Sequence, residues 1–131
     1  MKAILDAGPL IAAWDKSDAY HHWAQTTLKK YSGPYLTTEL VLGEVAHMTG
    51  KDAAIFEGVR TGRFIIGGSL KTDAAAMQRV LFACAHRDLA DASIVALSEK
   101  EPHLPVLTTD KRHFSTHRRA DQTALPMVAP Q

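Results

Sequence analysis

Short apolar runs that stop abruptly, alternating with stretches of helical period, limit this chain to one class of fold. The runs are residues 2–5, Tyr35–Thr37, Phe64–Ile66 and 106–108. Uninterrupted runs of this length read as strands buried on both faces, which is the pattern of parallel sheets covered by helices. Between them lie the helical stretches. Pro9 suits the first turn of a short helix over 10–14, and Ser17 or Asp18 can cap a second helix that passes Trp23 and Leu28 and stops near Tyr31 before Ser32-Gly33-Pro34. Thr38 is a plausible N-cap for 39–48, with Gly50 as its terminator, and Asp52–Arg60 continues as a further helix. Leu70, Ala74, Met77, Leu81 and Cys84 recur at helical spacing, so this stripe is expected to face a core. Asp88 caps the next helix, with Asp91 at its third position and Ile94, Val95 and Leu97 as apolar contacts before Pro102. Residues 124–128 could add a last strand. The reading is α/β: a three-layer α/β/α sandwich with a short, mostly parallel central sheet, in a single domain over residues 1–131.

Composition narrows the function classes. The chain is 46% hydrophobic and 22% charged, ordinary values that fit neither a disordered nor a fibrous protein. No apolar run approaches the ~20 residues of a membrane helix, and MKAILDAG is too short for a secretory signal, so a cytoplasmic protein with no membrane partner is expected. The single cysteine, Cys84, excludes an internal disulfide and a cysteine-based zinc site, and reads as a buried, inert thiol. A net charge of +1 decides nothing about nucleic acid by itself. Its distribution matters more, because Lys111, Arg112, His113, His117, Arg118 and Arg119 concentrate the basic excess, either as a solvated loop or as a phosphate contact.

Four carboxylates stand in unusual places. Asp6 and Asp110 directly follow the first and fourth predicted strands, where ligand crevices of open α/β folds lie, although aspartate there is also a common helix cap. Glu44 has Val41 three residues before it and Met48 four after, which puts it on or beside an apolar stripe; it either meets a partner there or reaches water at the edge. Asp91 shares a face with Ile94, Val95 and Ser98, and Asp88 lies one turn earlier. Several carboxylates around one pocket repel each other unless a divalent cation joins them, and hard oxygen ligands suit Mg²⁺ or Mn²⁺. Such a site suits phosphoryl transfer.

The segments LDAGPLIA at 5–12, VLGEV at 41–45, DLADASIVALSE at 88–99 and LTTDKRHF at 107–114 resemble the PIN-domain family, most closely the VapC-type toxins of prokaryotic toxin–antitoxin pairs. The resemblance implies a Mg²⁺- or Mn²⁺-dependent endoribonuclease with Asp6, Glu44, Asp91 and Asp110 as its four acids, and with Asp6, Asp91 and Asp110 as metal ligands. Asp88 resembles an additional acid of some members, and Thr108 a hydroxyl residue that precedes the last acid. The resemblance further implies an RNA substrate, a homodimer, and an antitoxin whose tail covers the site, and from the basic stretch Lys111 and Arg112 are the candidate contacts to that RNA. One departure stands out: many relatives carry Ser, Thr or Asn shortly after the first acid, where this chain has Ala7 and Gly8.

Other readings are weaker. Glu44 and His47 form a single ExxH pair, whereas a di-iron bundle needs two and a zinc protease needs HExxH. His21 and His22 read as surface or helix-end residues. A receiver domain would need an acidic pair after the first strand, where only Asp6 stands. A catalytically silent scaffold or RNA-binding module keeps the fold but leaves the mutual repulsion of the acids unexplained. A histidine ribonuclease would act without metal and leave a cyclic phosphate.

Overall fold

The computed structural model describes residues 3–83 and 88–131. Five strands, β1 (Ala3–Leu5), β2 (Tyr35–Thr37), β3 (Phe64–Ile66), β4 (Val106–Leu107) and β5 (Met127–Val128), form one sheet in the order β3-β2-β1-β4-β5. Every pairing is parallel, with Ile4 opposite Leu36 and Leu5 opposite Leu107. Helices flank the sheet: α1 (Ala7–Ala13), α2 (His21–Lys30), α3 (Glu39–Thr49), α4 (Asp52–Arg60), α5 (Leu70–Ala83), α6 (Leu89–Lys100) and α7 (Lys111–Thr116). The architecture is the expected three-layer α/β/α sandwich, and its sheet is wholly parallel. Among the described residues no helix is long and apolar enough to cross a membrane.

The chain steps outward from β1 to β2 and β3, then returns to lay β4 on the other side of β1. In open parallel sheets such a reversal is where a ligand crevice lies, here beyond the carboxyl ends of β1 and β4. β1 is fully buried, as are Val106 and Leu107, so the crevice has a rigid floor. Strands only two or three residues long bring few ladder bonds, and side-chain bonds reinforce them: Thr37 Oγ1 donates to the Leu5 carbonyl at 2.8 Å. Tyr35, also buried, donates its hydroxyl to the Leu28 carbonyl of α2 and rests its ring near Phe64. Tyr35→Phe is expected to cost about 1 kcal/mol in urea unfolding, because it leaves a buried carbonyl without its donor. An unchanged midpoint would mean that this bond does not hold α2 to the sheet.

Caps foreseen in the sequence set several helix ends. Thr38 accepts from Val41 N–H at 3.2 Å, Gly50 takes a left-handed φ of 68° after α3, and Asp88 accepts from Asp91 N–H at 2.9 Å. Other expectations need correction. Neither Ser17 nor Asp18 caps α2, which starts at His21; Asp18 bonds Tyr20 N–H in a turn instead. His21, at that helix end, lies 2.8 Å through Nδ1 from the Ala12 carbonyl. The predicted α5 stripe holds only in its second half: Met77 is buried and Leu81 packs partly buried against the core, with Val80 buried between them, whereas Leu70 is 50% exposed and Ala74 is exposed. Alanine-rich helices mark their buried face weakly, and Val80 decides it here. Met48 is 62% exposed, so the apolar stripe of α3 is Val41, Leu42 and Val45. Cys84 lies outside the described residues.

Candidate active site

Asp6 occupies the junction between β1 and α1, with extended backbone, but its side chain does not cap the helix. It turns into the crevice and is only 5% exposed. There its Oδ2 accepts from Thr108 Oγ1 at 2.8 Å, and the same Thr108 oxygen accepts from Asp110 N–H at 2.9 Å. One hydroxyl thus joins the acid after β1 to the acid after β4 across the reversal of the sheet. Thr108 is buried, and its own N–H extends the β4–β5 ladder to the Val128 carbonyl at 3.1 Å, which fixes the hydroxyl in place.

Asp91 sits half-buried in the first turn of α6 and Glu44 projects from α3. The two helices pack together, and a Thr38–Ser93 hydroxyl pair at 2.8 Å links them. Their carboxylates influence Asp6 directly. Burial pushes the Asp6 carboxyl up to about 7; the Thr108 hydroxyl and a backbone bond from Ala7 offset part of this, and the charges of Asp91 and Glu44 add to it. Glu44 is likewise held above the usual carboxylate range, first by partial burial and then by Asp88 and Asp91. Charges act on one another this way only over short distances, so Asp6, Glu44, Asp88 and Asp91 share one region of the surface.

Glu44 is nonetheless exposed and belongs to the rim, so the expectation that it stands on or beside the stripe resolves to the edge that reaches water. Asp88 is exposed as well and spends its Oδ1 on the N–H of Asp91, a capping role that also anchors the backbone of Asp91. Asp110 is half-buried, and its carbonyl accepts from Phe114 N–H, so it stands at the head of α7. Lys111 and Arg112 follow it, both exposed.

The rest of the basic stretch has other duties. His117 is buried with its ring 5.6 Å from Phe114, and Arg119 is 9% exposed with its guanidinium on Ser98 Oγ and the Pro102 carbonyl. Arg118 folds back onto the carbonyls of Ser115 and His117. The side chain of His113 lies outside the described residues. The stretch is therefore neither a loop nor a continuous phosphate-binding surface: a short helix carries its first half, and packing consumes His117 and Arg119.

Thr109 was not foreseen as a site residue. A Cβ on Gly8 would overlap the Thr109 hydroxyl oxygen and lie 3.1 Å from Thr109 Cβ, so this side chain fills the space beside the first turn of α1. The available signal was a glycine two residues after the first acid, facing a second threonine beside the last.

Among the described residues no three His, Cys, Asp or Glu side chains converge closely enough to form a ready-made ion cage. The donor chemistry still fits a hard divalent cation. Asp6, Asp91 and Glu44 are oxygen donors, and the groups acting on Asp6 are a hydroxyl, a backbone N–H and the like charges of Asp91 and Glu44. Neither the models of known protein families nor the sequences of curated proteins give a match to this chain.

Proposed function

We propose that the chain is a PIN-like, metal-dependent endoribonuclease whose site is built on Asp6, Glu44, Asp91 and Asp110. The observation that carries this reading is Asp6: a carboxylate buried at the sheet reversal, pushed up to about 7, beside two further acids that disfavour its charge. A purely structural aspartate at that position would gain from capping α1, which its side chain does not do. A buried carboxylate beside like charges is costly to ionise, and a shared cation is an arrangement that offsets the cost.

Asp6, Asp91 and Asp110 would hold Mg²⁺ or Mn²⁺. When bound, such an ion neutralises phosphate charge and makes water a better nucleophile near neutral pH. The protein's own groups supply the rest. Thr108 donates to Oδ2 of Asp6 and holds the carboxylate in place. Glu44, exposed at the rim with its proton affinity raised, would take a proton from an attacking water. Lys111 and Arg112, exposed directly after Asp110, reach phosphates of the flanking strand. The reading as the toxin of a toxin–antitoxin pair, homodimeric and blocked by an antitoxin tail, rests on the motif resemblance.

The decisive experiment is cleavage of a single-stranded oligoribonucleotide with end-group analysis. Cleavage that requires Mg²⁺ or Mn²⁺, stops with EDTA and leaves 5′-phosphate and 3′-hydroxyl ends is the expected result. EDTA-resistant cleavage with 2′,3′-cyclic phosphate ends would overturn the mechanism, and no cleavage under any metal condition would favour the silent scaffold. Neutralising Lys111 and Arg112 to alanine together is expected to weaken RNA binding without lowering the melting temperature. It should also flatten the dependence of log affinity on log salt by about 1.4, two single-strand phosphate contacts. An unchanged salt slope would remove both residues from the RNA path.

A further inference from the structure

The acids of the site and the phosphodiester proposed to enter it share a limitation: carboxylate and phosphate oxygens accept hydrogen bonds and donate none. A phosphate beside these acids therefore needs donors from elsewhere. The Thr108 hydroxyl is committed to Asp6, and its lone pair to the N–H of Asp110. The next residue, Thr109, is half-buried and follows in the same loop. Among the described residues its hydroxyl has no hydrogen-bond partner, although it is packed against the first turn of α1, two residues from Asp6. The packing is close enough that any side chain at position 8 would displace it. Ala7 and Gly8 carry no hydroxyl, so beside the backbone N–H groups of α1 a side-chain donor at this point comes from the facing loop.

We propose that Thr109 is a substrate-contacting residue that donates its hydroxyl to a non-bridging oxygen of the scissile phosphodiester, and that Gly8 is glycine because it makes room for that hydroxyl. This rests on the nuclease reading above. It assigns the Thr-Thr-Asp segment three separate tasks: Thr108 fixes Asp6, Thr109 meets the substrate, and Asp110 serves the cation.

Four variants of the full chain test this with a single-stranded oligoribonucleotide, with Mn²⁺ binding to the metal-free protein by calorimetry, and with thermal melting. Thr109→Val keeps the shape and removes the donor; it is expected to lower kcat/KM on the order of 10- to 100-fold. Its Mn²⁺ affinity and melting temperature should stay at wild-type values. Thr109→Ser should recover most of the lost activity. Gly8→Ala should lower both melting temperature and cleavage, and Gly8→Ala/Thr109→Ala should regain the melting temperature but not the cleavage. Thr109→Val with wild-type cleavage, or the double variant regaining cleavage, would overturn the proposal and leave Thr109 a packing residue. A loss of Mn²⁺ binding or of thermal stability in Thr109→Val that matches its loss of activity would overturn it as well. A wild-type protein that cleaves no RNA would remove the nuclease reading and this assignment together, whereas an active wild type with an equally active Thr109→Val removes this assignment alone.

Discussion

Replacing Asp6 by asparagine is expected to abolish metal-dependent cleavage, by about a thousandfold or more, while making the metal-free protein more stable at neutral pH. The two effects have one cause. In the folded protein burial lifts the Asp6 carboxyl from 3.8 to about 7, so folding favours its protonated form. Below pH ~4 the residue is protonated whether folded or not, and its contribution to stability is fully present. As pH rises towards 7 the unfolded chain releases the proton and the folded chain must pay to follow, so stability falls across that window and stays low above it. A shift of this size corresponds to about 4 kcal/mol as an upper limit. Asparagine carries no charge and still accepts from Thr108, so the Asp6→Asn protein should lack this loss. Melting curves in EDTA from pH 4 to 8 would show wild type and variant alike at the acid end and separating towards neutrality. Parallel curves would mean that Asp6 ionises freely and has no need of a cation. Protons and cation compete for the same oxygens, so Mn²⁺ affinity of the wild type should also drop as pH falls below about 7.

Arg119→Ala is expected to destabilise the fold by about 3 kcal/mol and to leave RNA binding by the folded protein unchanged. Its guanidinium donates to Ser98 Oγ at 3.2 and 3.0 Å and to the Pro102 carbonyl at 2.8 Å, so it fastens the segment before β5 to the end of α6. Ser98 is fully buried, and truncation leaves its hydroxyl facing a cavity. Lysine should rescue little, because a single ammonium does not reproduce a planar fork spanning two acceptors. Urea denaturation reads the loss directly. A variant as stable as wild type but weakened in RNA binding would return Arg119 to the basic surface that the sequence suggested.

Periodicity made the fold legible wherever the chemistry of a residue had a single use. Tyr35–Thr37 and Phe64–Ile66 can only be strands between such helices, and Thr38, Gly50 and Asp88 end helices through bonds or backbone angles that few residues provide. Legibility failed where a residue type has several uses. Alanines and leucines along α5 suit either face, so Met77 and Leu81 face the core as expected while Leu70 and Ala74 do not. Arginine serves solvent, phosphate or the interior equally, and only the position of Ser98 and Pro102 shows which role Arg119 takes. In the site, the acids that follow β1 and β4 could be read from their place after apolar runs. The exposure of Glu44 could not, because the orientation of α3 depends on its packing against α6. The seating of Thr109 over Gly8 joins two loops distant in sequence, and neither residue alone reveals it.

The bond from Thr108 to Asp6 spans 102 positions of the chain. During synthesis, therefore, β1, the middle strand of the finished sheet, leaves the ribosome long before β4, and Asp6 waits for β4 before Thr108 can reach it. A nascent or truncated chain that ends before residue 106 carries Asp6, Glu44, Asp88 and Asp91 but neither Thr108 nor Asp110, and β1 then has an open edge where β4 belongs. The order of strands thus acts as a timing device: the acids that follow β1 and β4 come together only after β4 has been made, and chains that stop short of it lack that pairing.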